Sequence, residues 1–516
     1  TKTGLIYTVG GAGYYGRDSD RERSLRIFAF KDRKETSLVP EMSGYALSAD
    51  GSKLIVAQGS GGGSASYVTF DATPSGAGSK KTVSTGGLMY DRVPAEEWAQ
   101  IFGEVWRRYR DFFYVDNMHG YDWAALRTQY EPLVAHVAHR ADLNTVIAEM
   151  ISELTVQHAY IAGGDIVLPP RARVALPGAR FELDTATGKY RIARILSGQN
   201  EEERYRSPLT EVGVQAKAGE YVLAIDGEEL KPTEDPYRLL RNKADRPVTL
   251  TLNATPSTTG ARTVTFQPLA SEESLVYLDW VQTNRRRVAE LSKGRAAYLH
   301  VPDMGADGIR EFIKWYYGQI DADALVVDVR ANGGGNVSRM LIERLRRQVL
   351  ALGFSRTDSR ANTYPDGVFR GPMVAILNEN SSSDGDIFPA MFREAKLGPL
   401  VGRRSWGGVV GITNRGTLLD GGIVNVPEFG FATAKGEWAI EGYGVDPDID
   451  VENDPKAVIA GRDPQLERAV AEVMKALETR APLPARPAAP VRTQKAMPPT
   501  PPAASPTSPA ARVRTP

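Results

Sequence analysis

The sequence predicts a multidomain chain of mixed α/β and all-β character, with an α/β core toward its C-terminal side. Three observations predict it. The 516 residues exceed what a single hydrophobic core organises. Strands alternate with helices after about residue 271, the pattern of a mostly parallel sheet. The hydrophobic period also switches to helical spacing at Pro94, after a beginning made of strands and turns.

Residues 1–88 hold strand candidates at 25–30, 53–57 and 67–70, separated by Gly-rich breaks. Within them, Ser48-Ala49-Asp50-Gly51-Ser52-Lys53 places an Asp-Gly turn before a hydrophobic strand. That turn resembles the hairpin of a β-propeller blade. So short a segment makes one or two blades, which need neighbours to bury their faces, so the end of a larger propeller is expected. The alternative is a small independent β-domain.

Residues 89–168 read as a helical bundle. Trp98, Ile101, Phe102, Val105, Tyr109 and Phe112 form one apolar stripe opened by Pro94, and Leu143, Ile147, Met150, Ile151 and Leu154 form a second. The second helix is expected to run into Thr155-Val156-Gln157-His158-Ala159-Tyr160 and to stop at Gly163-Gly164.

Residues 169–270 are β-rich. Ala218-Gly219-Glu220-Tyr221-Val222-Leu223-Ala224-Ile225-Asp226-Gly227 resembles the turn and strand of PDZ domains, with Glu220 where Asp is usual. A helix at 236–241 and a strand at 248–252 follow in PDZ order. Such a module either pairs an extended peptide with its sheet edge or serves as a spacer.

The core is expected over 271–479, with strands at 296–301 and 324–329 and a helix after Gly333-Gly334-Gly335. An apolar strand at Pro372 follows, then a Ser-rich corner with its own helix. A last amphipathic helix is predicted over 457–479. From Arg480 the chain holds 11 prolines and no acidic residue, so 480–516 reads as a disordered tail.

Composition excludes several classes of function. Lys plus Arg and Asp plus Glu both number 63, so no net field favours nucleic acid or an anionic membrane. No apolar run is long enough to span a bilayer. The absence of cysteine removes disulfides, thiolate metal sites and a cysteine nucleophile. The chain opens at Thr1 with neither an initiator Met nor a secretory leader, so a fragment or processed form is expected.

Chemistry points to the corner Asn378-Glu379-Asn380-Ser381-Ser382-Ser383-Asp384-Gly385-Asp386. A serine there meets the unpaired N–H groups and positive dipole end of a helix, which suits a nucleophile whose attack creates an oxyanion. Taken alone, the segment reads first as a helix cap at Ser383 or Asp384 and only second as a nucleophile, and the rest of the chain reverses that order. Asn332-Gly333-Gly334-Gly335 lacks the Lys of a phosphate-binding loop, which leaves an oxyanion hole or a tight turn. Of the five histidines, His136 and His139 stand at i,i+3 without a zinc motif, and no cofactor or metal is implied. Surface or structural histidines are expected there instead. His158, beside a Gly-Gly break, can project into a cleft.

Together these segments resemble the tricorn protease family. The resemblance rests on Asn378-Glu379 with Ser383-Asp384-Gly385-Asp386-Ile387-Phe388, on Arg404-x-Trp406-Gly407-Gly408-Val409-Val410-Gly411 and on His158-Ala159-Tyr160. Asn332-Gly333-Gly334-Gly335, Glu441-x-x-Gly444-Val445 and the order of modules add to it. It implies a serine protease core related to C-terminal processing proteases, with Ser383 as nucleophile, His158 as general base and Glu441 as the supporting acid. The oxyanion donors it implies are the backbone N–H groups of Asp384 and of a loop glycine, Gly334 by position. In the family a serine precedes the histidine and links it to the glutamate. Here that position is Gln157, whose amide can both accept and donate.

The resemblance further implies peptide substrates, peptidases acting downstream, homo-oligomeric assembly and a cytoplasmic location. A specificity residue is expected near 354–358. Two rival readings are a catalytically inactive relative that binds peptides through the PDZ-like module, and a serine esterase using the same site.

Overall fold

The computed structural model describes residues 1, 3–11, 23–59, 66–89, 91–169, 171–357, 361–482 and 484–491. Most of the tail expected to be disordered lies outside the described residues. Two compact units are distinguished, residues 1–348 with 367–480, and residues 349–366 with the chain after 480.

In the larger unit, Gly4–Val9, Ser24–Ala29 and Lys34–Val39 form one antiparallel sheet. Gly44–Leu47, Lys53–Gln58, Ser66–Asp71 and Lys81–Val83 form another. Alternation along these strands turns Leu25, Ile27, Leu54, Val56, Val68 and Phe70 into one shared core. The Asp50-Gly51 turn forms as read, with Gly51 at φ 73° and Asp50 accepting from the Ser52 N–H at 3.0 Å.

The helical segment contains Pro94–Phe112, Trp123–Tyr130 and Arg140–Ser152. The first stripe packs as core at Ile101, Phe102, Val105 and Tyr109, but Phe112 is 39% exposed. The helix ends there, and Phe113 leaves it at ψ 139° and takes the buried place. The second helix stops at Ser152, short of the run expected from the sequence. Thr155, at φ 53°, turns the chain. Tyr160–Ala162 then becomes an edge strand on Ile423–Phe429, which also pairs with Gly411–Asn414. Val410, Leu418, Val424 and Val426 from that hairpin region complete the helical core.

The β-rich module is an antiparallel sheet in the order Arg262–Phe266, Val248–Asn253, Tyr221–Ile225, Lys189–Ile195, Ala179–Asp184. The helix expected at 236–241 is a 3-10 turn, Pro236–Leu240, capped by Asp235 onto the Tyr237 N–H at 2.8 Å. It stays short because Arg241 bridges to Val174.

The α/β core has a five-stranded sheet, parallel throughout, in the order Ala296–His300, Ala324–Asp328, Met373–Leu377, Leu400–Gly402, Ile449–Asp450. Period-two alternation divides its residues between two layers. Leu299, Val327, Ala375 and Leu377 face Ala306–Tyr317, Ser338–Leu345 and Asp384–Glu394. Tyr298, Val326, Val374 and Ile376 face Glu273–Ser292 and Pro464–Glu478. The last helix predicted from sequence is in fact two, Pro455–Ile459 and Pro464–Glu478. Gly461, at φ 80°, breaks it, and Asp463 caps the second part through the Leu466 N–H.

In the smaller unit, Ala351–Phe354 and Ala361–Tyr364 pair antiparallel. The segment expected to hold a specificity residue falls there, and residue 358 lies outside the described residues. No helix among the described residues is long and apolar enough to cross a membrane.

Candidate active site

The strand Met373–Leu377 delivers the chain to Ser383, which precedes the helix Asp384–Glu394. Ser383 sits at φ 58°, ψ −122°, a conformation that L-residues with a side chain rarely adopt. Its hydroxyl makes no capping bond to the helix. The simple cap reading therefore does not hold for Ser383. Asp384 caps a different helix, accepting from the Ser338 N–H at 2.9 Å and from the Ser338 hydroxyl. Burial pushes the Asp384 carboxyl up from its ordinary range, against the pull of those donors.

The glycine loop lies directly against the serine. A Cβ on Gly334 would come within 2.5 Å of Ser383 Cβ and 3.0 Å of its Oγ. Gly334 also has φ 85°, so close approach and backbone conformation both require glycine. Asn332 stitches the two loops together. Its carbonyl accepts the Ser382 N–H at 2.9 Å, and its side chain donates to the Val301 carbonyl at 2.8 Å. Its Oδ1 takes the Gly334 N–H at 2.9 Å. The donor assigned by position to the oxyanion hole is thus directed at its own loop. Among the described residues, the N–H groups of Gly335 and Asp384 have no protein acceptor.

His158 is buried between the turn at Thr155 and the strand Tyr160–Ala162. Its Nδ1 stands 2.8 Å from the Val410 carbonyl, which can only accept, so Nδ1 carries the proton. In the neutral ring this leaves Nε2 as the basic nitrogen. The Trp406 ring lies against the imidazole at 5.2 Å between centroids, and Tyr160 at 6.0 Å.

Glu441 reaches this histidine through backbone. Oε2 accepts the N–H groups of Val409 at 2.6 Å and Val410 at 2.9 Å, and Oε1 accepts the Gln157 N–H at 3.1 Å. The side-chain relay envisaged for Gln157 is not formed. Gln157 Oε1 is buried without a partner among the described residues. The Gln157 Cβ lies close to Gly408, where an added Cβ would stand 2.8 Å away.

The structure thus gathers Ser383, Asp384 and Gly334 in one group, and His158, Gln157 and Glu441 in another. No hydrogen bond joins Ser383 to His158 among the described residues. The loop 404–411 connects the groups, with the Trp406 N–H donating to the Ser381 carbonyl at 3.0 Å and the Gly407 N–H to Asp386 Oδ1 at 2.7 Å. Asp386, Trp406 and Val410 carry no separate role in the sequence reading. The available signal was a second acidic residue in the first turn after Ser383, ahead of the Trp-Gly-Gly run.

Three of the other histidines are tied elsewhere. His119 donates to the Leu154 carbonyl at 2.8 Å, and His139 faces Asp142 at 3.5 Å. His300, which burial keeps toward its neutral form, donates to the Arg330 carbonyl at 2.9 Å. A cavity of about 1580 Å³ opens at the carboxyl ends of the sheet strands, bordered by His300, Arg330, Ala331 and Asn378. Its lining includes neither Ser383 nor His158, so volume alone does not locate the chemistry.

The class follows from comparison with known proteins. Residues 295–451 match peptidase family S41, so the α/β core has the fold of that peptidase family. Residues 94–152 match the tricorn protease C1 domain and 176–271 the tricorn protease PDZ domain, and the chain belongs to the tricorn protease family. It is 36% identical to tricorn protease homolog 1 of Streptomyces coelicolor over 480 residues, 92% of this chain and 44% of that protein. It is 33% identical to the tricorn protease of Thermoplasma volcanium over 455 residues, 87% of this chain and 43% of that one. The crystal structure of the tricorn protease superposes with a TM-score of 0.83 at 32% identity, covering 92% of this chain and 46% of that chain. The chain therefore spans less than half the length of these relatives.

Proposed function

We propose that this chain is a tricorn-like serine peptidase that hydrolyses short peptides through an acyl-enzyme. Ser383 Oγ attacks the scissile carbonyl carbon while His158 Nε2 takes the hydroxyl proton. The oxyanion falls to the Asp384 N–H at the helix N-terminus and to an N–H of the 333–335 loop, which must turn from Asn332 if Gly334 is the donor. His158 returns the proton to the leaving amine, and water releases the acyl group by the same route reversed. Glu441 supports the histidine by fixing the Val410 carbonyl. On family grounds the products pass to other peptidases and the working form is a homo-oligomer.

The observation that carries this reading is Ser383, held at positive φ on a helix N-terminus with its hydroxyl uncommitted to the helix. The test is turnover of short peptides and of a matched ester by the wild type and Ser383→Ala. Peptide turnover that falls roughly 10³-fold or more in a folded variant supports the peptidase. Ester turnover without peptide turnover would point to the esterase, and no turnover of either by the wild type to a peptide-binding relative.

A further inference from the structure

We infer that Asp386 is a positioning residue that sets the alignment of His158 against Ser383 by anchoring the Trp406-Gly407 turn to the nucleophile's helix. The inference rests on the proposed roles of Ser383 and His158 and concerns how two groups from separate modules are brought into register.

Asp386 lies in the first turn of the helix Asp384–Glu394 and is fully buried. Its backbone N–H donates to the Ser383 carbonyl at 2.8 Å, so the side chain is fixed relative to the nucleophile. Its Oδ1 accepts the Gly407 N–H at 2.7 Å. Gly407 is conformationally committed, with φ 95° and space for a Cβ blocked at 2.6 Å by the Gly444 N. The next contact in the series is the Trp406 ring against the imidazole. Beyond Gly408, Val410 supplies the carbonyl that holds His158 Nδ1.

The two carboxylates therefore hold opposite ends of one loop. Glu441 takes Val409 and Val410 on the histidine side, and Asp386 takes Gly407 on the serine side. Without these anchors the loop between Leu400–Gly402 and Gly411–Asn414 would let Ser383 and His158 drift, and a misplacement near 1 Å can cost on the order of 10²-fold in rate. Asp386 Oδ2 has no hydrogen-bond partner among the described residues. Burial raises its carboxyl to about 6, against the pull of the Ser405 hydroxyl and of the Gly407, Ser383 and Gly408 N–H groups.

The test uses the full chain with Asp386→Ala and Asp386→Asn, and Asp386→Ser in place of the first if the alanine variant does not fold. Alanine and serine lose the acceptor at that distance, whereas asparagine keeps an oxygen able to take the Gly407 N–H. The expected result for the truncated variant is a fall in kcat of roughly 10²-fold at unchanged KM, with the rate of fluorophosphonate modification of Ser383 falling in parallel. Asparagine should restore both to within about tenfold. A folded truncated variant with wild-type kcat and labelling rate would overturn the inference. So would a loss in KM alone, or a loss that asparagine does not rescue. Failure of the underlying reading is separable, because it appears as activity surviving Ser383→Ala.

Discussion

His158 and Val410 lie 252 positions apart in the chain and are joined by one hydrogen bond of 2.8 Å, from the imidazole Nδ1–H to the backbone carbonyl. In a serine peptidase that partner is more often a carboxylate, which also stabilises the imidazolium. Here a carbonyl fixes the tautomer and the carboxylate of Glu441 stands one step back, on the N–H groups of Val409 and Val410.

Glu441→Ala removes the acceptor for three backbone N–H groups at once. The expected outcome is a fall in kcat of about 10²-fold with little change in KM, because the histidine is misoriented while substrate contacts remain. Steady-state kinetics on a short peptide measure it. A larger effect on KM than on kcat would place Glu441 in substrate binding.

Gln157→Ser tests the bond that is not there. Glu441 is held by the Gln157 backbone N–H, which serine retains, while the orphaned Oε1 is removed. Activity should stay within about threefold of wild type, and stability should rise by roughly 1 kcal/mol as an unsatisfied buried acceptor disappears. A 10²-fold loss would show that the glutamine side chain is needed after all.

Gly334→Ala places a methyl group where Ser383 Cβ already lies and asks alanine to hold φ 85°. The variant should lose roughly 1–3 kcal/mol in denaturant unfolding. It should also lose most of its kcat, since the displaced atoms belong to Ser383, the proposed nucleophile.

Asp386 makes stability depend on pH in an unusual direction. An aspartate in the unfolded chain titrates near 3.9, and here burial raises it to about 6. Between those values the folded state binds a proton that the unfolded state lacks, so its contribution is intact below that window and is lost as pH rises through it. Asp386→Asn should therefore be more stable than wild type by on the order of 2–3 kcal/mol near pH 8, with the difference vanishing by about pH 4. Denaturant midpoints across that range measure it, and a constant difference would mean that the carboxyl titrates normally.

The sequence was most legible where one period governs a whole element. The buried strands Ala324–Asp328 and Met373–Leu377, the helix after Gly335 and the corner at Ser383 all follow from apolar runs and turn chemistry. Helix ends were less legible, because tertiary partners decide them. Residues 160–162 join a sheet only because a strand more than 250 positions later offers its edge. The wiring behind His158 was hidden for the same reason. Backbone groups of Val409 and Val410 carry no side-chain signature, so the Glu441 link could be read only as a side-chain relay through Gln157. Asp386 stood in plain view in the motif, yet its partner is the N–H of a glycine in a separate loop.

The most direct measurement is covalent labelling with a fluorophosphonate, the modified residue being mapped by peptide mass spectrometry in the wild type and in His158→Ala. Stoichiometric modification at Ser383 that slows by orders of magnitude when the imidazole is removed is the predicted result. Modification at another residue, or labelling of Ser383 at an unchanged rate without His158, would contradict it.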